Sequence, residues 1–196
     1  MDKRLLAIVL VTLTFAGGLI GCGTSQITTD RRYSSPGGAY FHRTVAVTDG
    51  GKLKDVFVVA DHGTLIVDGG EVGDDLHAVA KSTLIIKEGR VGSGLKIYQK
   101  ARGFIYGGTI DGDVLSVSDN AWVQISGGVL PDTVFIGDDA TLSFVLGKGT
   151  FNGTSIRGLF RPTESGHLVA TFEDGSPVAC TINVKGDIWR TVASSR

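Results

Sequence analysis

The chain predicts an all-β fold: a single-stranded, right-handed parallel β-helix of about six coils of 19–20 residues, closed by a C-terminal β-hairpin cap. Three observations carry this. A small or turn-compatible residue recurs at Thr44, Gly63, Ser82, Ala101, Ala121 and Ala140, at spacings of 19, 19, 19, 20 and 19. Apolar residues fall into the same columns in every unit. The units also turn at Gly-rich corners: Gly50-Gly51, Gly69-Gly70, Glu88-Gly89, Gly107-Gly108 and Gly127-Gly128. Self-similarity at this period means stacked coils, each burying its apolar face only against its neighbours.

Taken in order, residues 1–21 read as a cleaved leader. Met1-Asp2-Lys3-Arg4 is a short charged start, and Leu5 to Ile20 is an apolar run too short for a comfortable membrane span. Residues 22–39 lack any pattern and read as a flexible tether, with a span of roughly 20–25 Å. Over residues 40–149 the solenoid reading assigns three strands to each coil. Counted from each recurring residue, the second and fourth positions (Ala46/Thr48, Leu65/Val67, Leu84/Ile86, Gly103/Ile105, Val123/Ile125, Leu142/Phe144) alternate as a half-buried strand does. A second column holds Leu53, Val72, Val91, Ile110 and Leu130. A third holds Phe57/Val59, Leu76/Ala78, Leu95/Ile97, Val114/Ser116 and Val134/Ile136. No stretch beyond the leader sustains a helical period, and β-branched residues are frequent. Right-handedness follows from the bias of parallel crossovers.

Stacked coils need closed ends, because a terminal coil offers unpaired backbone groups. Residues 150–196 fill that role. Within them Gly166–Val184 alternates apolar and polar residues around Asp174-Gly175, a hairpin signal.

Composition excludes some partners and chemistry. The 196-residue chain has a formal charge of −1, and loss of the leader removes two basic residues and one acidic one. Without a basic run it has no electrostatic footprint for nucleic acid. The chain has two cysteines. His42, His62, His77 and His167 show no metal-ligand spacing, and no nucleophile-base constellation is visible, so no catalytic residue, enzyme activity or cofactor is expected. Acidic residues cluster at the second corner, where stacking would place Asp55 near Asp74 and Asp75. They are ordinary turn formers or, alternatively, a weak cation site. The outward positions of the first strand form an apolar stripe, Val47, Ile66, Ile85 and Phe104, beside Tyr106 and Trp122. Such a stripe either docks a glycan or protein partner or lies under the chain's own segments.

Leu19-Ile20-Gly21-Cys22 resembles the lipobox of bacterial lipoproteins. That resemblance implies cleavage before Cys22, lipidation of its thiol and new amino group, and a membrane partner through the lipid anchor. Gly23 after the cysteine implies the outer membrane. With Cys22 acylated, Cys180 would have no partner for an intramolecular disulfide. The Gly-Gly corners, the Asp119–Gly128 unit, the Asp138–Leu142 unit and the closing Gly166–Val178 hairpin resemble repeats of bacterial surface proteins: autotransporter passengers and the GG-repeat solenoids of PEP-CTERM-sorted exported proteins. These resemblances imply a non-enzymatic envelope or cell-surface lipoprotein, a tethered rod acting as spacer, interaction or adhesion module. The corner aspartates are also similar to the acidic sites of β-helical polysaccharide lyases. The alternative is therefore a polysaccharide-binding or polysaccharide-cleaving β-helix.

Overall fold

The computed structural model describes residues 26–29, 32–33 and 44–185, which are built from strands and turns without a helix. The strands stack on three faces. The first face carries β1 (Gln26–Thr29), β3 (Thr44–Thr48), β6 (Thr64–Asp68), β9 (Thr83–Ile86), β12 (Arg102–Ile105), β15 (Trp122–Ile125) and β17 (Thr141–Phe151). The second carries β2 (Arg32–Tyr33), β4 (Lys52–Leu53), β7 (Glu71–Val72), β10 (Arg90–Val91) and β13 (Thr109–Ile110). The third carries β5 (Val58–Val59), β8 (His77–Ala78), β11 (Lys96–Ile97), β14 (Val114–Val117) and β16 (Thr133–Ile136). Neighbours on each of these ladders pair in parallel. This is a parallel β-solenoid.

Five complete turns separate Thr44 from Thr141, through Thr64, Thr83, Arg102 and Trp122. The sixth begins with β17 and then gives way to the cap. Within the stretch read as a tether, β1 pairs with β3 and β2 with β4, forming a further layer at the N-terminal end.

The interior is a continuous apolar column. Leu65, Val67, Leu84, Ile86, Val123, Ile125 and Phe144 are fully buried on the first face, and Leu95, Ile97, Leu115 and Val117 on the third. Gly103 occupies an inward position where its neighbours carry Leu84 and Val123. A β-carbon there would lie 2.9 Å from Ile97 Cδ1, so the larger Ile97 fills the space instead. At the first corner Gly89 has φ +92°, and a β-carbon would fall 2.2 Å from the Gly70 carbonyl oxygen of the coil below. Only glycine allows backbones to stack that closely.

Two of the expected columns are off by one residue. Thr44 pairs with Thr64 rather than Gly63, so the inward pair of the first coil is Val45 and Val47, and the outward residue is Ala46. The cause is an extra residue at the Asp49-Gly50-Gly51 corner, where Gly51 N–H bonds the Thr48 carbonyl at 2.8 Å. In the fourth coil Ile97 pairs with Val117, which makes Leu115 and Val117 inward and leaves Val114 exposed. Here the additional residue lies in Asp111–Val114. Because side chains alternate with period two, a one-residue slip exchanges the buried and solvent sets.

The third corner was not anticipated. Asp61-His62, Ala80-Lys81, Gln99-Lys100 and Asp119-Asn120 all have positive φ at both residues. The following N–H closes each turn onto the carbonyl three residues back, as Gly63 to Ala60 at 2.9 Å and Ser82 to Val79 at 3.1 Å. Paired positive φ is the signature of the type I′ turn, normally built from Asn, Asp or Gly. Small residues follow it because the next position points inward: Ser82, Ala101 and Ala121 are buried.

The cap has two hairpins. β18 (Thr154–Phe160) folds back antiparallel on β17, and β19 (Gly166–Phe172) pairs antiparallel with β20 (Pro177–Val184) across the Asp174-Gly175 turn. Asp174 supports that turn by accepting the Ser176 N–H at 2.8 Å. β19 also pairs with β17, and β20 adds in parallel to β16. One hairpin thus covers the last strand of the first face and of the third, joining both into a single 15-stranded sheet.

Candidate functional site

Coil stacking sets the first-face outward column as Ala46, Ile66, Ile85, Phe104, Gln124 and Ser143. Val47, expected in this stripe, is instead fully buried in the core. Both ends of the column are closed. Ala46, on the strand that pairs with β1, is buried, and Ser143 is buried and accepts a hydrogen bond from Arg161 Nε of the cap at 3.1 Å.

The middle is open. Ile66 and Ile85 are half-buried, as are Phe104 and Trp122, while Tyr106 is 50 % exposed. Phe104 lies between the other two aromatics. Its ring stacks on Tyr106 at 6.3 Å and 15°, and tilts against Trp122 at 5.4 Å and 59°. Tyr106, not Trp122, is the most exposed aromatic of the group. It stands where β12 runs into Gly107-Gly108, a corner without side chains to cover it, whereas Trp122 leans on Phe104.

Beside the aromatics lies a shallow groove made of two adjoining hollows that share lining residues, of about 480 and 490 Å³. Phe104, Trp122 and Asn120 line one part, His62, Lys81 and Thr83 the other, and Lys100 and Arg102 belong to both. Lys81 and Lys100 project from successive type I′ corners, joined directly by the bond from Lys81 N–H to the Gln99 carbonyl at 3.3 Å. Among the described residues no carboxylate stands within ion-pair distance of Lys81, Lys100 or Arg102. The expectation that this chain lacks a basic run holds for the sequence order, yet stacking assembles three cations from positions 81, 100 and 102.

A second groove, about 410 Å³, lies on the second face and includes Lys52, Glu71, Asp74, Arg90 and Asp111. Its charges are spent on one another: Lys52 pairs with Glu71 and Arg90 with Asp111. The hydrogen bond from Lys52 holds the Glu71 carboxyl below its ordinary value, and the bond to Asp111 raises Arg90 above its own. Both shifts favour the charged forms. Arg90 therefore stays protonated and paired with Asp111.

The corner aspartates serve the backbone. Asp55 Oδ1 accepts the Asp74 N–H at 3.0 Å, and Asp74 Oδ1 accepts the Ser93 N–H at 2.7 Å. Each carboxylate thereby satisfies a donor of the next coil. Gly73 and Gly92 make room, since β-carbons there would lie 2.2 and 2.3 Å from those oxygens. Asp75 faces Lys96 Nζ at 3.8 Å. Among the described residues no group of three or more His, Cys, Asp or Glu side chains is placed to hold a metal ion.

The described histidines are not brought together. His62 lines the groove, and His167 Nδ1 lies 3.2 Å from Thr181 Oγ1. His77 packs edge-on to Tyr98, and burial pushes its pKa down. His42 lies outside the described residues, as does the Cys22 lipidation motif. Burial pushes the Cys180 thiol up to about 12, which leaves it unreactive near neutral pH.

Neither the family models, nor the curated proteins, nor the solved structures yielded a match to this chain.

Proposed function

We propose that this protein is a non-enzymatic envelope lipoprotein, lipidated at Cys22 and held at the outer membrane, whose solenoid presents a binding face to a surface partner. The observation that carries the reading is the open aromatic cluster of Phe104, Tyr106 and Trp122 midway along the rod. Aromatic rings with polar neighbours supply contact area at small entropic cost, and monomers seldom leave such patches unused. A pure spacer needs no such surface. The corner aspartates, engaged with backbone N–H groups, lend the cleaving alternative no support.

Two experiments test the proposal. The full chain carrying Phe104→Ser and Trp122→Ser is expected to keep its melting temperature within a few degrees, because both positions face outward. With Cys22→Ala added to variant and wild type alike, so that no lipid anchor holds either, its retention on envelope fractions should fall at least tenfold. Equal retention of variant and wild type would leave the spacer reading in possession. Separately, Cys22→Ala expressed in a lipoprotein-processing host is expected to shift the protein from the membrane to the soluble fraction, and unchanged fractionation would refute the anchor.

A further inference from the structure

We infer that the groove on the first face binds an acidic polysaccharide laid along the rod, its anionic groups on Lys81, Lys100 and Arg102 and a sugar ring against Phe104 and Trp122. This rests on the reading of that face as a binding surface, and it names the ligand class.

The first argument is charge. Lys52, Lys87, Arg90 and Lys96 each face a carboxylate of a neighbouring coil, as a ladder of stacked outward side chains readily arranges. Lys81, Lys100 and Arg102 do not. Lys81 and Lys100 sit one coil apart, a rise of about 4.8 Å, and Arg102 follows on the same coil as Lys100. Like charges at such spacing repel, and a polyanion lying across them relieves the repulsion.

Backbone conformation supplies an independent argument. Lys81 has φ +64° and Lys100 φ +68°, while the equivalent position in the next coil is Asn120, a residue that tolerates this region. Holding a lysine there carries a conformational cost that asparagine or glycine would lessen, and strain of this kind gathers at functional sites. His62, Ala80 and Gln99 adopt positive φ in the same corners, so the backbone sets where the two lysines stand and their charge is what distinguishes them.

The third argument is the combination of cations and rings. A uronic acid unit offers an apolar ring face for an aromatic wall and a carboxylate for an ammonium or guanidinium. Single-stranded nucleic acid would also offer rings and anions. The groove's cation row is short, however, and its corner column carries Asp61 and Asp119 at either end. The chain as a whole is acidic. Phosphate-backbone binding draws on many more basic contacts than this.

The test uses the detergent-solubilised full chain in affinity electrophoresis against polygalacturonate, alginate, dextran and an oligothymidylate. Retardation by polygalacturonate or alginate is expected, weakening as salt is raised, with dextran inert. The triple variant Lys81→Gln, Lys100→Gln, Arg102→Gln should lose at least tenfold in apparent affinity while keeping its melting temperature. Failure of both acidic polymers to retard the chain overturns the inference, as does stronger retardation by the oligothymidylate. Equal retardation by dextran and an acidic polymer, unaffected in the triple variant, also overturns it while leaving the binding face intact. Should Phe104→Ser with Trp122→Ser change nothing on any bound polymer, the binding-face reading falls as well.

Discussion

Ile86→Asp is expected to abolish cooperative folding, whereas Ile85→Asp, one residue away, should cost about 1 kcal/mol. Ile86 is fully buried between Val67 and Ile105 in the rod interior. Losing a buried isoleucine side chain costs about 2–5 kcal/mol. An unpaired carboxylate in that column adds a desolvation penalty of several more. The total rivals the roughly 5–15 kcal/mol by which ordinary domains are stable. Position matters too. The substitution falls in the third coil and would leave shorter stacks on either side, and stacks of fewer than about three repeats do not stand alone. Ile85 points outward, half-buried between Ile66 and Phe104, where a carboxylate keeps its water. Urea denaturation followed by circular dichroism reads the contrast directly. Equal midpoints for the two variants would mean that the inward and outward faces are assigned wrongly.

Ending the chain after Arg161 should make the rod associate more strongly than the full chain does. β19 and β20 would be lost, and with them the buried Leu168, Phe172, Val178, Cys180 and Ile182. β17 would surrender one of its two antiparallel partners over Leu146–Phe151, and β16 one of its two parallel partners over Thr133–Ile136. Two sheet edges and the open end of the apolar column would face solvent together, a template for addition of another chain. Size-exclusion chromatography with light scattering is expected to show larger species than the full chain gives at equal concentration. Unchanged elution with an unchanged melting curve would show that the hairpin closes nothing.

Much of this architecture is written in the sequence because a solenoid repeats its local rules. Leu53, Val72, Val91 and Ile110 form the expected second column, and the corners at Gly70, Gly89 and Gly108 stack as their spacing requires. The Asp174-Gly175 hairpin also stands where its alternation places it. What period alone cannot supply is the location of an added residue within a coil. A spacing of 20 between Ala101 and Ala121 is compatible with an insertion at any corner, and only pairing between coils shows that it precedes Leu115. The same ambiguity put Val47 on the outside. Inter-coil hydrogen bonds decide such cases, since they select the register that buries Val45, Val47, Leu115 and Val117.

The groove shows the division most clearly. Phe104, Tyr106 and Trp122 stand out in the sequence as aromatics beside an alternating strand. Lys81 and Lys100 carry no sequence signal, being lone lysines in otherwise ordinary corners. By itself the sequence determined a stack of coils, its glycine-rich first corner and its closing hairpin, because each depends on local periodicity and turn preference. The tertiary structure decided which side chains face solvent and which cations become neighbours, because those follow from how one coil registers on the next.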